Sequence, residues 1–350
     1  MDAAAVHESV ARNIRKAAGQ SHRDTEDDAL TRQLVTELVA AATRAPSMHN
    51  TQPWRFRFTA ASQTIGLYAD PARMLPVADP DGRALHIGCG AALFNLRLAA
   101  VAVAGRQPVV RLLPDPGQRM LLATVRLAGP HPAQPDELEL HTAVTTRTTN
   151  RRPFSTRPVP PGVLAELAEA TRTEGAILHV PDRQEADRLL ELARGAERVL
   201  LADPAYRGEL ARWAGGARDR DGIPDEVMAA HDPRGKAPVR DFTPAGSGAA
   251  GYAWFEEDPQ LAVLSTHFNG RADWLRAGQA LQRFLLMATI RGLAASPLTQ
   301  PLETGDAWLV RDPRAGVEYP QMIVRFGYPL PVPGTPRRPV SEVLDTPTSE

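Results

Sequence analysis

The stretch Ala45-Pro-Ser-Met-His-Asn-Thr-Gln-Pro-Trp-Arg-Phe56 constrains this chain most, because it joins a helix stop, two side-chain amides and a strand start. Upstream, Leu34, Val35, Leu38, Val39 and Ala42 recur at helical spacing. Pro46 ends that pattern, since the residue before a proline is pushed out of the α region. Asn50 and Gln52 follow in irregular backbone, and Trp54 to Phe58 alternates as a half-buried strand does. Each amide offers both a donor and an acceptor. That suits a planar heterocycle, and it equally suits a turn whose polar side chains satisfy their own backbone.

Around this corner, periodicity predicts a helix over about 28–44, a strand pair over about 54–69, a helix over about 82–104, and strands near 109–113 and 120–127. The Pro-rich, acidic stretch Gly129 to Glu139 reads as a linker. A second series follows, with helices over about 161–172, 183–202 and 272–292 and strands at 176–180 and 321–327. The order of elements repeats. This predicts an α+β chain made of two copies of one fold, residues 1–140 and 141–350, against the simpler alternative of one large α+β domain. Between Asp203 and Pro259 the second half carries material without regular pattern that includes Trp213, Trp254 and Phe255. It is expected to form a lid, because a disordered insertion is usually depleted of aromatic residues.

Three further segments can carry chemistry. Thr146-Arg-Thr-Thr-Asn-Arg-Arg-Pro-Phe154 gathers Arg147, Arg151 and Arg152 beside Thr149 and Asn150. Guanidinium forks match phosphate oxygens, and the same composition also suits a solvated basic linker. Gly334 to Val343 places Arg337 and Arg338 after a strand, where the residues by themselves read as an exposed basic tail. Gly292 to Pro301 ends an apolar helix and enters an extended run holding Pro297, Leu298 and Thr299.

Composition excludes several classes. Forty basic against forty-one acidic residues leave a net charge of -1, so nothing favours general nucleic-acid or membrane-surface binding. One cysteine, Cys89, excludes an internal disulfide and fits a reducing cytosol. The first residues, with His7, Glu8, Arg12, Arg15 and Lys16, lack a signal-peptide core. Arg97 and Arg291 interrupt the best candidates for a membrane span. The nine histidines show no metal spacing; His49, within the corner, reads as packing or a ligand contact. Gly246-Ser-Gly-Ala-Ala-Gly251 follows no strand and reads as lid loop, while His86-Ile-Gly-Cys-Gly90 lies inside a helix and suits close packing. Ser47 lacks a nucleophile-elbow context.

Pro46, Ser47, Asn50, Gln52, Pro53 and Trp54 fall on Pro-Ser-x-x-Asn-x-Gln-Pro-Trp, which resembles the motif of the FMN-dependent nitroreductase family, in particular its Acg-like branch of fused tandem chains. The resemblance implies a flavin at the interface of two halves. Pro46, Ser47, Met48, Asn50 and Gln52 of one half would meet it, with Arg147, Thr149, Asn150, Arg151, Pro297, Leu298, Thr299, Arg337 and Arg338 of the other. Thr299 and Gln300 stand where the family has Glu and Gly, and a backbone amide there would face flavin N5. The flavin would carry the redox step, with no catalytic side chain required. A reciprocal site is expected to be lost, because Ala170 to Ile177 lacks the Asn-Gln-Pro-Trp corner and Arg12 to Lys16 is a weak arginine segment. The resemblance further implies NAD(P)H as donor, a nitro compound or quinone as small-molecule acceptor, and a cytoplasmic monomer acting as its own pseudo-dimer. The competing expectation is an FMN storage protein closed by the lid.

Overall fold

Trp54–Thr59 (β1) and Thr64–Ala69 (β2) form a hairpin whose register runs from Trp54 opposite Ala69 to Thr59 opposite Thr64. Its alternation sends Trp54 and Phe56 into the core, both fully buried. In this computed structural model, which describes residues 31–228, 232, 240, 242, 253–305, 310, 318–330 and 332–345, the hairpin belongs to the first of two sheets. That sheet adds Arg106–Leu112 (β3), Leu121–Pro130 (β4) and a distant strand, Leu344–Asp345 (β9), in the order β3-β4-β2-β1-β9. β9 lies parallel to β1, with Phe56 opposite Leu344.

The second sheet has the order β5-β6-β8-β7, made of Ile177–His179 (β5), Leu261–Thr266 (β6), Ala294–Pro297 (β7) and Tyr319–Gly327 (β8), all neighbours antiparallel. Every residue of β6 is buried. Leu261 to Leu264 therefore reads as a short apolar run rather than an alternation, and together with β7 the strand escapes the periodicity reading.

Each sheet is backed by a twenty-residue helix. A helix over residues 31–43 (α1) leads into the corner, Arg83–Ala102 (α2) backs the first sheet, and Arg271–Ile290 (α7) backs the second. α2 begins beyond Gly82 at φ +74, and the Asp79 carboxylate accepts from the amides of Ala84 (2.9 Å) and Leu85 (2.8 Å), satisfying two donors of the helix start. α2 is long and apolar enough to cross a membrane by length and composition, contrary to the reading from Arg97, but it is largely buried against α7. The two cores interlock: Ile87 of α2 belongs to the second, Leu275 of α7 to the first. Gly90 and Gly278 sit at the crossing.

Pro161–Thr173 (α4) and Arg183–Ala202 (α5) match the predicted helices. Two elements differ. The expected linker at 129–139 instead holds the end of β4 and the start of Pro135–Thr146 (α3), where Gln134 and Glu137 form a capping box and Pro135 takes the first helical position. Within the stretch 203–259, Pro204–Trp213 (α6) is helical, with the Asp203 side chain accepting from the Ala205 amide at 2.8 Å. Residues 1–30 and the glycine pattern at 246–251 lie outside the described residues.

Candidate functional site

The corner turns through a short 3-10 segment, Met48–Asn50, and three of its residues take left-handed backbone: His49 at φ +50, Asn50 at +55 and Gln52 at +50. Such conformations are uncommon outside glycine and gather where function requires them. Ser47 Oγ accepts from the Gln52 amide at 2.9 Å and closes the turn. Gly88 of α2 approaches so closely that a Cβ there would stand 3.2 Å from Ser47 Cβ.

Asn50 and Gln52 do not offer their amides to a heterocycle. Asn50 Nδ2 donates to the carbonyls of Gly222 and Pro336, both at 3.0 Å, and its Oδ1 accepts from Arg337 Nη1 at 3.2 Å. Gln52 Nε2 donates to the Arg220 carbonyl at 2.8 Å, and its Oε1 accepts from the Arg338 amide at 2.9 Å. These side chains join the corner to two distant segments, residues 220–222 and 335–338. The corner residues that face the neighbouring cavity are Pro46, Ser47, Met48 and His49.

After α3, the chain runs along the edge of the second sheet: Thr149 pairs with Ala295, and the Asn150 amide donates to the Ala295 carbonyl at 3.0 Å. This register places Arg147 and Arg151 among cations. Burial, then Arg44 and Arg151, push Arg147 down to about 10; burial and Arg240 push Arg151 to about 10; burial, Arg147, Arg44 and Arg151 push Arg337 to about 9. Guanidiniums hold their protons in proteins, so an anion rather than proton loss relieves this crowding. Arg147 Nε, Arg151 Nη1, Arg337 Nε and Asn150 Nδ2 are all buried without a hydrogen-bond partner. Three of these belong to arginines close enough to depress one another's pKa, and orphaned donors there fit a ligand with several acceptor oxygens.

The cavity beside them is open at its mouth, and its empty space, solvent at the mouth included, is about 780 Å³. Ala84, Ile87 and Gly88 of α2, Leu281 of α7, Met322 of β8 and Pro297 of β7 supply an apolar wall that would flank a planar ring. Thr149, Arg151 and Thr299 add polar groups. Ile223, Arg240 and Phe242, from the stretch expected to form a lid, complete the lining.

Arg240 is held in a buried network. It pairs with Glu303, which also accepts from Tyr206 Oη at 3.1 Å, and its Nη2 donates to Thr299 Oγ1 at 3.1 Å. The Glu303 carboxylate raises the Arg240 pKa even though burial opposes it. At the root of the same stretch, Arg73 Nη1 contacts Asp221 Oδ2 at 2.8 Å, and the Gly222 amide donates to the Asn50 carbonyl at 3.2 Å.

Thus Pro46, Ser47, Met48, Thr149, Arg151, Pro297 and Thr299 line one cavity, with Arg147, Asn150 and Arg337 in the adjoining cation cluster. Leu298 is buried, with its amide donating to the Ile323 carbonyl at 2.9 Å, and it is not among the lining residues. Arg338 turns away: its guanidinium lies 3.6 Å from Asp70 and donates to the Glu342 carbonyl at 3.0 Å. Arg337 is therefore the inward member of the pair. Arg240, Phe242 and Ile223 carry no local motif, and the sequence signals nothing about their place in the wall.

A sequence profile of the "Nitroreductase family" matches residues 20–113 and 144–328. A Mycobacterium tuberculosis H37Rv protein named "Putative NAD(P)H nitroreductase" is 36% identical over 325 residues, 90% of this chain and 92% of its own length. A second from that strain, named "Putative NAD(P)H nitroreductase acg", is 32% identical over 328 residues, 91% of this chain and 97% of its own. The solved structure of the FMN-dependent nitroreductase NfnB from Mycobacterium smegmatis in complex with NADPH is 18% identical, covering 61% of this chain and 98% of that one at a TM-score of 0.35.

Proposed function

The chain belongs to the nitroreductase family, as two halves of its fold fused in one polypeptide, and on that premise we propose that it is an FMN-dependent oxidoreductase. It takes electrons from NAD(P)H and passes them to nitro compounds, quinones or similar acceptors. The observation that carries this reading is the set of buried, unpartnered donors on Arg147, Asn150, Arg151 and Arg337 beside a cavity with an apolar wall. A phosphate monoester attached to a flat ring system is the ligand that uses both.

The residues divide the work. Arg147, Arg151, Asn150 and Arg337 hold the phosphate, each charge-assisted contact supplying roughly 1.5–3 kcal/mol. Ile87, Gly88, Leu281 and Met322 flank the ring and exclude water, and of the Pro297 to Thr299 backbone only the Thr299 amide is left for its edge, since proline carries none and the Leu298 amide is bonded to the Ile323 carbonyl. When bound, FMN supplies a two-electron carrier that accepts hydride from one substrate and gives it to the next. The corner and the arginine segment come from different halves, and each occurs once. One site per chain follows, in a cytoplasmic monomer.

The placement of Ile223, Arg240 and Phe242 in the cavity wall favours a second reading, in which this stretch is a lid and the protein holds FMN without turning it over. Anaerobic absorbance of the FMN-loaded protein separates the two. Bleaching of the flavin band by NADPH or NADH supports the reductase, and a band that persists while dithionite bleaches it supports storage. Two equivalent flavins per chain on titration would remove the single-site assignment.

A further inference from the structure

His49 stands apart from the other polar groups around the cavity. Its left-handed backbone, φ +50, swings the side chain into the wall, where it is 6% exposed and meets Phe242 edge-on at 5.9 Å between ring centres. Its Nε2 is buried with no hydrogen-bond partner. A buried ring nitrogen left unpaired in a cavity wall calls for a ligand atom.

The neighbouring polar groups are committed elsewhere. Arg240 is bound to Glu303, Tyr206 and Thr299, and Thr299 Oγ1 accepts from it. Arg151 belongs to the cation cluster that the phosphate would neutralise. Burial, then Arg240 and Arg151, lower the His49 pKa well below its usual value and keep the ring uncharged. A neutral imidazole still carries one N–H, and in the tautomer with that proton on Nε2, placed beforehand in a dry wall, it can donate to an oxygen as negative charge develops there.

We infer that His49 is the hydrogen-bonding group of the acceptor subsite, its Nε2 meeting an oxygen of a quinone- or nitro-type acceptor. The inference rests on the oxidoreductase reading. For a quinone, one hydride from the reduced cofactor delivers two electrons and a proton, the carbonyl oxygen takes up the negative charge, and water supplies the second proton. His49 stabilises that oxygen and leaves the reaction unchanged.

The test uses FMN-loaded wild type, His49→Phe and His49→Gln, each reduced with dithionite so that NAD(P)H is not needed. Stopped-flow reoxidation is followed with p-benzoquinone and with ferricyanide, a one-electron acceptor with no such oxygen to bind. Separately, 1,4-hydroquinone is titrated into the oxidised proteins and read from the flavin absorbance. We expect His49→Phe to slow the quinone reaction at least tenfold and weaken hydroquinone binding by a similar factor, with the ferricyanide rate unchanged and His49→Gln intermediate. Equal quinone rates and equal hydroquinone affinities in all three proteins would overturn the assignment, as would equal slowing of both acceptors. Loss of FMN from both variants would also overturn it, since His49 would then hold the cofactor. If wild type gives electrons to neither acceptor, the oxidoreductase reading fails, and hydroquinone binding still decides whether His49 forms the subsite.

Discussion

Gly90 and Gly278 touch at the crossing of α2 and α7, each lying under the carbonyl that precedes the other glycine by three residues. A Cβ on Gly278 would stand 2.0 Å from the Ile87 oxygen, and one on Gly90 would stand 2.3 Å from the Leu275 oxygen. The reciprocity is the contact expected of a pseudo-two-fold axis, where the same patch meets itself. Either Gly→Ala substitution forces backbone apart and is expected to destabilise by at least ~1–3 kcal/mol, read by urea unfolding of the FMN-free protein. A variant as stable as wild type would show that the crossing can widen freely.

Arg147→Ala with Arg151→Ala is expected to weaken FMN binding by roughly 3–6 kcal/mol, from two charge-assisted contacts of about 1.5–3 kcal/mol each. Removing like charges should leave the FMN-free protein no less stable. Fluorescence titration with FMN, paired with thermal melts of the FMN-free variant, checks both statements; unchanged retention would take the segment out of the site.

Arg240→Met leaves the Glu303 carboxylate buried beside Tyr206 without its cation. Breaking such a pair costs on the order of 3–5 kcal/mol, and adding Glu303→Gln should recover part of it. In the double variant the described wall loses its main anchor, so flavin reduction by NADPH should be faster than in wild type. A rate no faster would show that Arg240 does not limit access.

The His49 imidazole has a folded-state pKa below its unfolded value, so between the two the unfolded chain binds more protons. Stability is therefore full above about pH 6.5 and is lost as pH falls through that region. His49→Gln should flatten the decline in urea-unfolding free energy between about pH 7.5 and about pH 5. It should not abolish it, because burial followed by the nearby Arg271 also lowers the His86 pKa against the opposing Gly82 carbonyl. An unchanged slope would place the proton linkage elsewhere.

Much of the fold is legible in the sequence because its elements carry period. α2, α5 and α7 recur at helical spacing, and the hairpin alternates between Trp54 and Ala69. β6 escapes because a strand buried on both faces has no alternation, and α3 because Pro132 and Pro135 read as breakers when Pro135 is a helix start. At the site, the corner and both arginine segments announce themselves through local motifs. Arg240 and Phe242 do not: their roles arise from Glu303 and His49, partners far away in the chain. Nor does spacing separate Arg337 from Arg338; only the fold shows that Asp70 and Glu342 claim the second.

β9 lends two residues to an edge strand, and Arg55 reaches Asp345 across 290 positions of sequence. On a ribosome adding about 5–20 residues per second, β1 would emerge roughly 15–60 s before its last neighbour exists. Through that interval its outer edge is open to any other extended chain. The nascent protein thus depends on companions, or on the charges of Arg55 and Arg57, to keep that edge to itself until translation reaches the strand that closes it.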